Sequence, residues 1–192
     1  NDIAGISLLQ GVNDSTIRNN LFFNNNRQGI VFFNYDDGEP TIQTYDQNNN
    51  MIENNTIWIG KYTHDGTRTE PTAHAGIAME DDTAARANAM SGNIIRNNVI
   101  VTQEGPVFRF GRTDFANGTT IQDNLIYRTG GDGSVLMNEG QTYDLAAFEA
   151  FSSQFANNTF QDPQFADVSV DYWDTPEAFD FSRTDDGSTD DG

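Results

Sequence analysis

The stretch Asn93–Gly111, NIIRNNVIVTQEGPVFRFG, decides the fold. Asn97 and Asn98 stand between two short apolar runs, and Gly105 opens another run of strand-forming residues. Asparagine competes for backbone hydrogen bonds inside helices and strands, so a pair of them between Ile- and Val-rich segments marks a bend. The form recurs as TIRNNLFF from Thr16, MIENNTIW from Met51, TIQDNLIY from Thr120 and, more weakly, QFANNTFQ from Gln154. Its second polar position is asparagine every time: Asn20, Asn55, Asn98, Asn124 and Asn158.

A second unit alternates with the first. It is a glycine followed by a strand-like run: GISLL from Gly5, GIVFF from Gly29, GIAME from Gly76, GPVFR from Gly105 and GSVLM from Gly133. Gly5 to Gly29 is 24 residues, Gly76 to Gly105 is 29 and Gly105 to Gly133 is 28, while Gly29 to Gly76, at 47, carries inserted loops or a degenerate turn. Apolar runs this short are strands rather than helices. A period in the twenties predicts a coil of short parallel strands, each turn burying its inward side chains on the next. Stacked at the same bend in successive turns, asparagine amides can bond to one another as a ladder.

This pattern resembles the right-handed parallel β-helix repeat proteins, the superfamily that includes pectate-lyase-like enzymes. The C-terminal part is similar to an ending found in secreted bacterial members, in which a strand is followed by TYDLAAFEAF (Thr142–Phe151) and then DPQFAD (Asp162–Asp167). The resemblance implies an all-β, right-handed parallel β-helix of about six to seven rungs with a short helix near 144–152. One domain is expected over residues 1–180, as the C-terminal part of a longer solenoid, ahead of an acidic flexible tail or linker expected over 181–192. An exposed first rung would be a sticky edge needing a cap, and self-association through the solenoid ends follows from it.

Composition narrows the function. Asp and Glu number 29 against 10 Lys and Arg, a formal charge of −19 that repels nucleic acid and anionic membranes. No apolar stretch is long enough to span a bilayer, so no membrane insertion is expected. Cysteine is absent, which removes disulfides and thiolate metal sites without fixing the compartment. With the resemblance, these features imply an extracellular or cell-surface protein that interacts with polysaccharide, as a polysaccharide lyase, a glycoside hydrolase or a carbohydrate-binding module. A non-catalytic structural or adhesive surface or filament solenoid is the alternative.

In each glycine-led strand, the first and third residues after glycine are expected to face inward and the second and fourth outward. Aligning the glycines then sets Glu80 beside Arg109 on an outer face, flanked by Phe33 and Met137. An acid and a base bracketed by apolar groups is a plausible sugar-binding surface, with a plain cross-strand ion pair as its rival. The insertion GKYTHDGTRTEPTAHAG, Gly60–Gly76, leads into the Glu80 strand and holds Lys61, His64 and His74 as further acid–base candidates. After it, Asp81 and Asp82 are candidate oxygen ligands for calcium. β-Elimination on a uronate would use calcium or a Lys or Arg to neutralise the carboxylate, whereas hydrolysis would use two carboxylates across the glycosidic bond.

Overall fold

The computed structural model describes residues 4–9, 11–23, 25, 27–34, 46–60, 74–81, 89–167 and 180–183. Along the chain, β1 (Ala4–Leu9), β2 (Thr16–Arg18) and β3 (Leu21–Phe23) are followed by β4 (Gln28–Asn34), β5 (Met51–Glu53) and β6 (Thr56–Ile59). Next come β7 (Ala75–Asp81), β8 (Asn93–Arg96) and β9 (Val99–Thr102), then β10 (Phe108–Phe110), helix α1 (Thr113–Asn117), β11 (Thr119–Gln122) and β12 (Leu125–Arg128). The remaining elements are β13 (Leu136–Asn138), β14 (Gln141–Tyr143), α2 (Leu145–Phe151), β15 (Phe155–Ala156), β16 (Thr159–Phe160), β17 (Phe165–Asp167) and β18 (Asp180–Arg183).

The chain is all-β, built on three parallel sheets. The first has the order β1-β4-β7-β10-β13, the second β2-β5-β8-β11-β15 and the third β3-β6-β9-β12-β16. From β1 to β13 consecutive strands therefore fall in different sheets, and each pairs with the strand at the same place in the next copy of the repeat. Five such copies lie within the described residues, against the six to seven rungs expected. β14 folds back antiparallel on β13, and β17 pairs antiparallel with β18.

Register follows the repeat. Ile52, Ile95, Ile121 and Phe155 lie side by side in the second sheet, and Ile57, Ile100 and Ile126 in the third. Opposite them, Ile30, Ile77, Phe108 and Leu136 stack in the first, and all belong to one buried core. Burying each such side chain is worth roughly 1.5–3 kcal/mol, so the stacked positions carry most of the stability. At the C-terminal end α2 closes the core, capped by Asp144 accepting from the Ala147 amide at 2.8 Å. Its buried Phe148 stacks between Phe108, at 5.4 Å, and Phe155, at 4.9 Å.

The two asparagines of each repeat divide the work. The first takes the left-handed backbone region, at Asn19 (φ 57°), Asn54 (55°), Asn97 (54°), Asp123 (57°) and Asn157 (59°), which Asn and Asp tolerate better than other side chains. The second makes the ladder. Asn20, Asn55, Asn98 and Asn124 each donate a main-chain N–H to the Oδ1 of the next asparagine at 2.9–3.2 Å, the last of these being Asn158. Their Nδ2 groups reach the same oxygens at 2.9–3.1 Å. A second, shorter ladder lies five residues earlier: Ser15 donates to Asn50 Oδ1 at 3.0 Å, and Asn50 to Asn93 Oδ1 at 2.9 Å.

Two expectations of facing and register need correction. Val107 and Val135, assigned outward, belong to the core. Glycine alignment also fails between β7 and β10, where Arg109 pairs with Ala78 instead of Glu80. Val107, not Gly105, stands opposite Gly76: the Ile77 amide donates to Val107 O at 3.0 Å, and Gly105 falls two residues early, against His74.

Candidate functional site

The outer face of the first sheet carries one row of side chains running across all its parallel strands. Leu9, Phe33 and Glu80 are direct neighbours on β1, β4 and β7, and Arg109 and Met137 are direct neighbours on β10 and β13. The two-residue offset between β7 and β10 does not break the row, because Arg109 reaches back along the diagonal and its Nε lies 3.2 Å from Glu80 Oε1. Four strand spacings of ~4.8 Å make the row about 19 Å long. Leu9 is exposed, and Phe33, Glu80, Arg109 and Met137 are half-buried. Closer to the middle of β4 and β7, Val31 and Ala78 form a small buried cluster on which Phe33 packs, which fixes one side of the row.

The next residue of β7 faces the other way. Asp81, its side chain only 1 % exposed, lies 3.4 Å from Arg112 Nη1. Arg112 also holds Asp114 at 2.6 Å and covers the ring of Phe115 at 4.7 Å; its already high pKa is raised, the Asp114 hydrogen bond foremost and Asp81 in support, against partial burial. Asp81 is in register with Asn34, which is fully buried and whose amide oxygen and nitrogen find no hydrogen-bond partner among the described residues. Composition and periodicity did not reveal the Asp81–Arg112 pair; its signal was an arginine two positions beyond the end of β10.

The structure brings Glu80 and Arg109 together but separates both from His74. That histidine precedes β7, six residues before Glu80, or roughly 20 Å along an extended strand. It is buried beside Gly105, its Nδ1 without a hydrogen-bond partner among the described residues, and desolvation pushes its pKa down; Glu104 opposes that shift and Arg27 reinforces it. Lys61, His64 and Asp82 lie outside the described residues. Among the described residues no group of three or more His, Asp or Glu side chains could hold a metal ion. Asp81 faces the Arg112 cation, so it is poorly placed as an open calcium ligand.

The outer row can therefore offer apolar contact at Leu9, Phe33 and Met137, with an acceptor and a fork of donors between them at Glu80 and Arg109. Its central charges cancel. No family model, curated protein or solved structure matches the chain.

Proposed function

We propose that the chain forms a right-handed parallel β-helix of the pectate-lyase-like type and acts outside the cell by binding polysaccharide on the outer face of its first sheet. The observation that carries the reading is the Glu80–Arg109 pair set between Phe33 and Met137 in one row. A polysaccharide presents alternating apolar ring faces and hydroxyl edges, and this row presents apolar patches around a hydrogen-bonding pair. The rotation of the chain through three parallel sheets and the two asparagine ladders support the β-helix.

Charge selects the ligand class. Glu80 and Arg109 neutralise one another within a chain of formal charge −19, which suits a neutral glycan better than a uronate polymer. Both acids at the end of β7 are held by arginines, Glu80 by Arg109 and Asp81 by Arg112, and this arrangement favours holding a glycan over cleaving it.

The test is a panel of neutral and uronate-containing polysaccharides, with and without calcium, read by retardation of the protein in polysaccharide-loaded gels. New reducing ends and the ultraviolet absorbance of unsaturated products are followed in parallel. Retardation by neutral polysaccharides without new chain ends is expected. Cleavage of any of them would replace binding by catalysis, and no retardation by any would end the carbohydrate reading.

A further inference from the structure

The ladder has a direction. Each asparagine accepts on Oδ1 from the preceding copy of the repeat and donates its main-chain N–H to the following one, as Asn98 does between Asn55 and Asn124. Asn20 stands first among the described residues. It donates to Asn55, but its Oδ1 accepts from none of the described residues, and it is exposed where Asn55, Asn98 and Asn124 are buried. The same end carries Leu9, 43 % exposed, and Leu21, 55 % exposed, with Ile6 and Ile17 only partly buried. β1, β2 and β3 are the edge strands of all three parallel sheets there. The opposite end is finished differently, its first sheet by antiparallel β14 and its core by Phe148 of α2.

We propose that the end formed by β1, β2 and β3 is the docking surface for one further parallel turn of the same repeat, with an asparagine seated over Asn20. The occupant must bring N–H donors to the vacant Asn20 acceptor, parallel strands to three edges and apolar side chains to Leu9, Leu21 and Ile17. A turn of this repeat supplies all three. Two copies of the chain meeting through this end would set acceptor against acceptor, and head-to-tail stacking would need the end that β14 and α2 finish.

The repeat's own spacing gives the test. Asn20 precedes Ile30 by ten residues and Asn98 precedes Phe108 by ten, and Ile6 shares the register of Ile30. Placing a copy of the ten residues Asn93–Thr102 directly before Asn1 puts the counterpart of Asn98 ten residues before Ile6. The extended chain should melt about 5 °C or more above the parent. Amide exchange across Thr16–Arg18 and Leu21–Phe23 should slow about tenfold or more. Leu21→Lys should lower the melting point of the extended chain while leaving the parent's nearly unchanged.

A control prefix with alanine at the counterpart of Asn98 should lose most of the gain. Equal gain from the control would overturn the ladder-directed docking, as would an extended chain with no gain or with a circular dichroism spectrum departing from the parent's. Sedimentation showing a parent dimer that the prefix dissolves would make a second copy the occupant and overturn it as well.

Discussion

Asn55 gives Asn98 two hydrogen bonds on a single side-chain oxygen, from its main-chain N at 2.9 Å and its Nδ2 at 3.0 Å. Asn98 then repeats the gesture toward Asn124, both contacts at 3.0 Å, and its Nδ2 also reaches the carbonyl of Ile52 at 3.0 Å. Alanine at 98 strands the Asn55 amide and the Ile52 carbonyl in a buried bend. Asn98→Ala should destabilise the chain by about 1–3 kcal/mol in urea unfolding. Asn20→Ala, at the exposed end of the ladder, should cost well under half of that, and equal costs would contradict the ladder's burial gradient.

The bend beside it makes a separate demand. Asn97 holds φ at 54°, a region that β-branched residues avoid. Asn97→Val should cost about 1–2 kcal/mol and Asn97→Gly much less. Indistinguishable unfolding midpoints for the two variants would mean that the bend relaxes freely.

Glycines that look alike in the repeat should respond differently. A methyl group on Gly76 would press on the Ile100 side chain and sit 2.8 Å from Val107 O, and one on Gly29 would meet Ile57 and sit 2.8 Å from Gly76 O. A methyl group on Gly133 would meet nothing within 4 Å beyond its chain neighbours. Gly76→Ala should therefore destabilise by about 1–3 kcal/mol, the usual cost of overpacking, while Gly133→Ala stays within about 0.5 kcal/mol. Thermal unfolding of the two variants checks this, and the reverse order would contradict the packing.

That contrast marks how far the sequence could be read. The ladder positions were legible because a bend with a buried amide admits almost nothing but asparagine, and Asn20, Asn55, Asn98, Asn124 and Asn158 all conform. The second ladder escaped notice because its positions, five residues before the first, mix Ser15 and Thr119 with Asn50 and Asn93. Gly105 misled the alignment of Glu80 with Arg109, since it sits against His74, two residues ahead of the position Gly76 holds, an offset no local pattern reports. The pair nevertheless forms, because a long arginine side chain spans a two-residue diagonal.

Asn34 offers the opposite kind of test, one of gain. Its amide is fully buried and meets no hydrogen-bond partner among the described residues, so the protein bears its desolvation penalty. Asn34→Leu, similar in volume, should stabilise the chain by about 1–2 kcal/mol in urea unfolding. A loss of stability would show that the amide serves an interaction formed in solution.

His74 should tie stability to pH. Burial lowers its pKa from the ordinary 6.5, so the unfolded chain takes up the proton first as pH falls. Stability associated with this residue is therefore full above about pH 6.5 and declines below it, down to the depressed native pKa. His74→Gln should flatten the urea midpoint between pH 7 and pH 5 relative to the parent. An unchanged pH profile would mean that His74 takes up its proton equally readily in the folded and unfolded chain.

The central claim is that the row Leu9–Phe33–Glu80–Arg109–Met137 holds a neutral glycan, and gel retardation of point variants tests it most directly. Phe33→Ala and Arg109→Ala, each shown by circular dichroism to keep the parent fold, are run against the parent in gels loaded with xylan, mixed-linkage β-glucan or galactomannan. The account predicts that the parent is retarded by at least one of the three and that each variant weakens that binding about tenfold, equivalent to about 1.4 kcal/mol. Variants retarded as strongly as the parent, or a parent that runs freely through all three gels, would contradict it.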